Sequence, residues 1–117
     1  MRIETFSHDK YHYINVYNGS ERVGKLGMEN KGNNKVHINY VSTNLEYTGR
    51  GIATWMISKA IEMFKEHEIS LLVKPMPRPG ENPKYTTVKG LIEFYKLFGF
   101  ERTSDTLLPT MVRPAKL

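Results

Sequence analysis

The stretch YTGRGIAT, residues Tyr47–Thr54, puts two glycines at the junction of a predicted strand and a predicted helix. A helix that begins at Gly51 leaves the N–H groups of its first turn unpaired and presents the positive end of its dipole. Because Gly49 and Gly51 carry no side chains, these N–H groups are open to phosphate oxygens, and Arg50 adds a cation at the rim. The residues alone also allow a plain tight turn with no ligand.

The segments that flank the glycines predict a strand–helix–strand unit. Lys35–Ser42 alternates as a half-buried strand does, and Ile69–Val73 is a short apolar run typical of a buried strand. Between them, Gly51–His67 carries apolar residues at steps of three and four, which predicts a helix with Trp55 on its buried face. This order predicts a βαβ unit with parallel strands.

The rest of the chain adds antiparallel strands and a second helix. The turn signal Asn18-Gly19 predicts a hairpin, and the polar segment Glu29–Lys35 reads as a loop. A helix is predicted from Thr86 or Thr87 to Phe98. The other strands are predicted at Met1–Phe6, Tyr11–Tyr17, Arg22–Met28, Phe100–Thr103 and Thr110–Arg113.

The predicted architecture is one α/β (α+β) domain over residues 1–117. It has a mixed, largely antiparallel twisted sheet with a central βαβ unit and two main helices. Pro75–Lys84 holds four prolines and is predicted to be a long irregular loop.

The composition limits the function. The 117 residues include no cysteine, which excludes disulfides, thiolate metal sites and a thiol nucleophile. No segment has the length and apolarity of a signal peptide or a membrane span, so we expect a cytoplasmic protein with no membrane partner. The net charge of +5 favours anionic partners.

Two phosphate-binding motifs fail on this stretch. The P-loop requires Lys and then Ser or Thr after its second glycine, but Ile52 and Ala53 follow Gly51. The dinucleotide fingerprint requires a third glycine where Thr54 stands.

A third motif fits better. Residues 48–53 resemble motif A of the GNAT superfamily of N-acetyltransferases, Gln/Arg-x-x-Gly-x-Gly/Ala, with matches at Gly51 and Ala53 and a departure at Thr48. Residues 91–100, LIEFYKLFGF, resemble motif B of the same superfamily, Phe-Tyr-x-x-x-Gly-Phe, although Val88 replaces an asparagine that many members carry. The resemblance covers roughly Val36 to Phe100. The helical pair that usually precedes the second and third strands is missing or reduced, which indicates a minimal member.

The resemblance implies that acetyl-coenzyme A lies between splayed fourth and fifth strands. Its pantetheine arm would pair with the backbone of the fourth strand, and its pyrophosphate would lie on the glycine turn. The implied coenzyme-binding residues are Val41, Ser42, Thr43, Thr48, Gly49, Arg50, Gly51, Ile52, Ala53 and Thr54. Arg78 and Lys84 could reach its 3′-phosphate or an acidic acceptor.

The resemblance also implies direct attack of an amine on the thioester in a ternary complex, with no metal. Tyr95 would protonate the leaving thiolate; alternatively, it is a tyrosine of the core without a catalytic role. His37 would be the base; alternatively, it is a half-buried strand histidine with no role in the reaction. Glu46 is a weaker candidate for the base.

The predicted activity is transfer of an acetyl group to a primary amine: a protein lysine, a protein N-terminus or a small amine. The alternative is a catalytically inactive module of the same fold that binds coenzyme A or nucleic acid, of which nucleic acid is the less expected partner. The acceptor and the oligomeric state are left open.

Overall fold

The computed structural model describes residues 1–75, 87–104 and 107–116. The helices and strands of these residues are β1 (Arg2–His8), β2 (Tyr11–Asn18), β3 (Glu21–Gly32), β4 (Lys35–Thr43), α1 (Ile52–Met63), β5 (Glu68–Leu72), α2 (Val88–Lys96), β6 (Glu101–Arg102) and β7 (Thr110–Arg113). A single 3₁₀ turn, Leu45–Tyr47, joins β4 to the glycine turn. None of the helices in the described ranges is long and apolar enough to cross a membrane.

The strands form one mixed sheet in the order β1-β2-β3-β4-β5-β7-β6. Every pair is antiparallel except β4 and β5, which α1 connects. This confirms the predicted fold class and its central βαβ unit. Only Asp9 and Lys10 separate β1 from β2, so the connection that could have carried a helical pair is a two-residue turn.

Two tight turns correct the predicted boundaries of the first hairpins. The loop predicted at Glu29–Lys35 is wrong, because Asn33 and Asn34 both have positive φ, 54° and 59°, and close a two-residue turn. β3 therefore continues to Gly32. In the preceding hairpin Asn18 pairs with Glu21, so the central turn residues are one position later than predicted.

Helix α1 covers one face of the sheet. Ile52 and Met56 lie directly over Gly24, where an added Cβ would be 2.7 Å from the nearest Ile52 carbon. The prediction that Trp55 belongs to the buried face is wrong, since its side chain is 39% exposed. Trp55 lies 100° around the helix from Met56, outside the apolar stripe that packs on the strands.

The second helix begins where it was predicted, after Thr87, and ends at Lys96, two residues before the predicted end at Phe98. The Thr87 side chain accepts a hydrogen bond from the Gly90 N–H, and Gly99, with φ 91°, follows the last turn. The buried Arg113 of β7 donates its Nε–H to the Phe98 carbonyl, which ties α2 to the sheet. Most of the predicted proline-rich loop, including Arg78 and Lys84, lies outside the described residues.

Candidate functional site

Strand β4 loses one of its two neighbours halfway along its length. Its pairing with β5 runs from Lys35–Glu68 to Ile38–Leu71 and stops there. Its pairing with β3 continues to Thr43. The part of β4 from residue 39 to residue 43 therefore has an edge that pairs with no described strand. Backbone N–H and C=O groups along such an edge can bind an extended ligand with amide groups.

A β-bulge marks the point at which the two strands part. Ile38 pairs with Met28 and Tyr40 pairs with Gly27, so Asn39 is an extra residue on β4. A bulge bends its strand and increases the local twist, which turns the rest of β4 away from β5. The spacing of apolar residues in the sequence is a signal for this bulge, although strict alternation was predicted for the strand. The apolar residues Val36 and Ile38 are two apart, whereas Val41 follows three later.

The free edge leads into the glycine turn. Gly49 and Gly51 have φ values of 76° and 80°, a left-handed conformation that glycine adopts without strain. An added Cβ at either position would meet no atom within 4 Å, so the backbone is open on that side. The first hydrogen bond of α1 runs from the Trp55 N–H to the Gly51 carbonyl. The N–H groups of residues 52–54 are therefore left without a partner in the helix.

The neighbours of the glycines are held in place by local contacts. The Thr48 hydroxyl donates to the Leu45 carbonyl at 2.8 Å and closes the 3₁₀ turn. Thr48 therefore makes a local hydrogen bond within the turn, at the position where the GNAT pattern has a long polar side chain. The Arg50 guanidinium lies 5.1 Å from the centre of the Tyr47 ring. Tyr47 was not predicted as a site residue, yet its contact directs Arg50.

Hydrogen bonds fix Tyr47 itself to the β2–β3 hairpin. The Asn18 amide donates to the Tyr47 hydroxyl at 3.0 Å, and this hydroxyl donates to the Glu21 carboxylate at 3.3 Å. The hairpin thus supports the cation at the rim of the turn.

The predicted coenzyme-binding residues occupy two adjoining places. Val41, Ser42 and Thr43 lie on the part of β4 that has no partner in β5, and the other seven form the turn and the start of α1. Glu46 lies between them on the 3₁₀ turn, fully on the surface.

His37 lies on β4 one residue before its last pair with β5. Its Nδ1 shares a hydrogen bond of 2.8 Å with the Ser70 hydroxyl on β5. Partial burial lowers the pKa of His37 below its usual value, and the nearby Lys31 lowers it further. The imidazole is therefore neutral at pH 7. If Nδ1–H donates to Ser70, the lone pair on Nε2 is available to accept a proton.

Tyr95 lies on α2, and its ring packs edge-on against Phe94 and Phe100. Burial raises the pKa of its phenol to about 12. The phenol therefore keeps its proton at neutral pH and can act as a hydrogen-bond donor. A thiol with a pKa near 8.5 is a stronger acid by roughly three orders of magnitude, so full proton transfer from Tyr95 to a thiolate is unfavourable.

The sequence profile of the acetyltransferase (GNAT) family matches residues 2–100. The chain belongs to this family. The match includes the free edge of β4, the glycine turn and all of α2. A comparison with curated proteins finds no match for the sequence.

Solved GNAT structures share the fold at low identity. PaiA N-acetyltransferase from Thermoplasma acidophilum, in complex with coenzyme A, has a TM-score of 0.68 and 18% identity; the match covers 90% of this chain and 61% of that one. Arabidopsis thaliana Naa50, bound to the bisubstrate analogue CoA-Ac-MVNAL, has a TM-score of 0.63 and 22% identity over 86% of this chain and 70% of its own. An acyl-CoA N-acyltransferase from Pseudomonas aeruginosa has a TM-score of 0.69 and 13% identity, with coverage of 91% and 69%.

The chain spans less than two thirds of the length of several of these GNAT structures, 61% for PaiA.

Proposed function

We propose that residues 1–117 form one domain that binds acetyl-coenzyme A and transfers its acetyl group to a primary amine. One observation carries the proposal: β4 keeps its pairing with β3 to Thr43 but loses β5 after Ile38, and it then leads into an open glycine turn. This arrangement offers an unpaired strand edge and a set of N–H donors in sequence. Coenzyme A has amide groups in its arm and a pyrophosphate beyond them, which are the groups such surfaces bind.

The turn supplies the positive charge that a pyrophosphate requires. The unpaired N–H groups in the first turn of α1 are directed out of its N-terminal end, where the helix dipole also favours an anion. Arg50, positioned over Tyr47, adds a full charge at the rim. These contacts involve backbone rather than a specific side chain at position 48, so the departure from the family pattern at Thr48 is compatible with binding.

The chemistry asks for a neutral amine, donors to the oxyanion and a stabilised thiolate. We assign the first task to His37, whose lowered pKa keeps it neutral and able to accept a proton from the amine, directly or through water. We assign the last to Tyr95, which would donate a hydrogen bond to the thiolate without losing its proton. The acceptor is a protein amine or a small amine.

Release of the coenzyme thiol is the direct test. Because the chain has no cysteine, every thiol that a disulfide reagent detects in the assay comes from coenzyme A. Acetyl-coenzyme A is first titrated by calorimetry and then incubated with a panel of primary amines, and the acetylated product is identified by mass spectrometry. We expect binding and amine-dependent thiol release.

Two other results would change the assignment. Binding without thiol release, for every amine in the panel, would favour the catalytically inactive alternative. No binding at millimolar acetyl-coenzyme A would refute the proposed site altogether.

A further inference from the structure

The face of β1–β4 opposite α1 carries a row of aromatic residues that no described helix covers. The register places Phe6 beside Tyr13, Tyr13 beside Gly27 and Gly27 beside Tyr40, one residue from each strand. Gly24, three residues before Gly27, faces α1, so this row lies on the other side of the sheet. The turn of two residues between β1 and β2 leaves that side open.

The rings form a surface rather than a set of separate exposed side chains. Phe6 is 61% exposed and Tyr40 is 41% exposed. Phe6 stacks on Tyr13 at 6.0 Å between ring centres. Tyr40 lies over Gly27, where an added Cβ would overlap the Tyr40 ring. A shallow groove of about 760 Å³ runs along the row. Its lining residues are Glu4, Thr5, Phe6, Tyr13, Asn15, Tyr17, Arg22 and Tyr40.

The charges along this groove are unbalanced. Glu4 is neutralised by Arg2 at 3.3 Å. Arg22 lines the groove, and the Lys25 ammonium lies 5.6 Å from the centre of the Tyr40 ring. Within the described residues neither Arg22 nor Lys25 has an ion-pair partner. The groove therefore combines apolar rings with two unpaired cations.

This surface is continuous with the proposed acetyl-transfer site. Tyr40 belongs both to the aromatic row and to the part of β4 that has no partner in β5. Because α1 occupies the opposite face over Gly24, the uncovered face is the open side from which an acceptor can reach the gap. A groove that leads to a reacting centre is suited to position the rest of a large acceptor.

We infer that this aromatic face binds the acceptor as an extended polypeptide segment that carries carboxylates and apolar or aromatic side chains near its reactive amine. The inference rests on the proposed function, whose acceptor class it specifies. The rings would contact the apolar side chains, and Arg22 and Lys25 would pair with the carboxylates. The free faces of the rings would be buried by the peptide.

A nucleic-acid strand fits the same surface less well. Aromatic rings on a sheet can stack bases, but strand binding also requires cations that follow successive phosphates. Among the described residues of this face only Arg22 and Lys25 are unpaired cations, because the ion pairs with Glu4 and Glu29 occupy Arg2, Lys10 and Lys31. Two unpaired cations are too few to follow the successive phosphates of a strand.

Two matched peptides test the inference. Both have 12 residues with one free amine, at the N-terminus; the first contains Asp, Glu, Phe and Leu, and the second has Arg in place of every Asp and Glu. Their binding to the protein, with and without saturating coenzyme A, is measured by fluorescence anisotropy. We expect the acidic peptide to bind at least tenfold more tightly than the arginine peptide and to be acetylated with a higher kcat/KM than ethanolamine.

Surface variants locate the binding face. Phe6→Ser and Arg22→Glu should each weaken acidic-peptide binding about tenfold, and only the effect of Arg22→Glu should shrink at high salt. Leu97→Ser, at a 76% exposed position after α2, and Lys89→Glu on α2 are the matched controls and should have no effect. Calorimetry should give the same affinity for acetyl-coenzyme A in all four variants.

The outcomes separate this inference from the proposed function. Equal binding of the two peptides, or no difference between the face variants and their controls, would overturn the inference while acetyl-coenzyme A still binds. A single-stranded 12-mer oligonucleotide that binds more tightly than the acidic peptide, and is weakened by both face variants, would assign the face to nucleic acid instead. If the unmodified protein does not bind acetyl-coenzyme A, the proposed function itself is refuted.

Discussion

Replacement of Gly51 by alanine tests the proposed phosphate site, and the same replacement at Gly32 is its control. Gly51 and Gly32 have nearly the same φ, 80° and 81°, and an added Cβ would meet no atom within 4 Å at either position. The left-handed conformation costs an alanine about 1–2 kcal/mol. Gly51→Ala and Gly32→Ala should therefore lower the free energy of unfolding by similar amounts, with a fall in Tm of about 3–8 °C in each. Gly32 ends β3, away from the proposed site.

Only Gly51→Ala should affect the coenzyme. Its methyl group would project into the open space where the pyrophosphate is proposed to lie, or the backbone would relax and redirect its N–H groups. Loss of one charge-assisted hydrogen bond amounts to about 1.5–3 kcal/mol, which corresponds to a roughly 10–100-fold rise in Kd. Calorimetric titration with acetyl-coenzyme A measures this directly. Acetyl-pantetheine, which has no pyrophosphate, should bind both variants with the same affinity.

The comparison can refute the reasoning in two ways. If both folded variants bind acetyl-coenzyme A equally, the N–H groups at the start of α1 do not hold the pyrophosphate. If Gly51→Ala weakens the binding of acetyl-pantetheine as much as the binding of acetyl-coenzyme A, the substitution has disturbed the β4 edge instead of the turn.

Three further substitutions examine the chemistry and the open face. Tyr95→Phe should reduce thiol release about 10–100-fold with unchanged acetyl-coenzyme A affinity, because the donor to the thiolate is lost; equal turnover would exclude Tyr95 from the mechanism. His37 has a lower pKa in the folded protein than when unfolded, so the unfolded state binds more protons as pH falls below about 6.5, and stability declines there. His37→Gln should remove this acid-side decline in denaturant titrations and lower the turnover; an unchanged pH profile of both would contradict the proposed role. Gly27→Ala should displace the Tyr40 ring and weaken acidic-peptide binding, and unaltered Tyr40 resonances in NMR spectra would count against the packing described.

Local patterns in the sequence were sufficient for most of the elements and for the parallel direction of β4 and β5, but not for the extent of the pairing between these two strands. The helix–turn junction at Gly51 could be predicted because positive φ, an unpaired helix start and the following apolar period are all local properties. The end of the β4–β5 pairing at Ile38 could not, since it depends on how two distant segments twist relative to each other. The same limit explains Trp55: apolar character predicted burial, but the position of the stripe is set by the strands beneath α1. The boundary error at Glu29–Lys35 arose because polar composition was read as a loop, although Asn33 and Asn34 alone can make the turn.

A single extra residue connects the two halves of the proposed site. Side chains alternate along a strand, so if Asn39 were paired regularly with Gly27, the side chain of Tyr40 would share the α1 side of the sheet with Ile38. The bulge shifts the alternation by one residue, which puts Val41 on the α1 side and Tyr40 on the open face. The same bulge lies where the pairing with β5 ends. The β4 bulge therefore lies where the edge proposed for the coenzyme begins, and its unpaired Asn39 keeps Tyr40 opposite Gly27 on the face proposed for the acceptor.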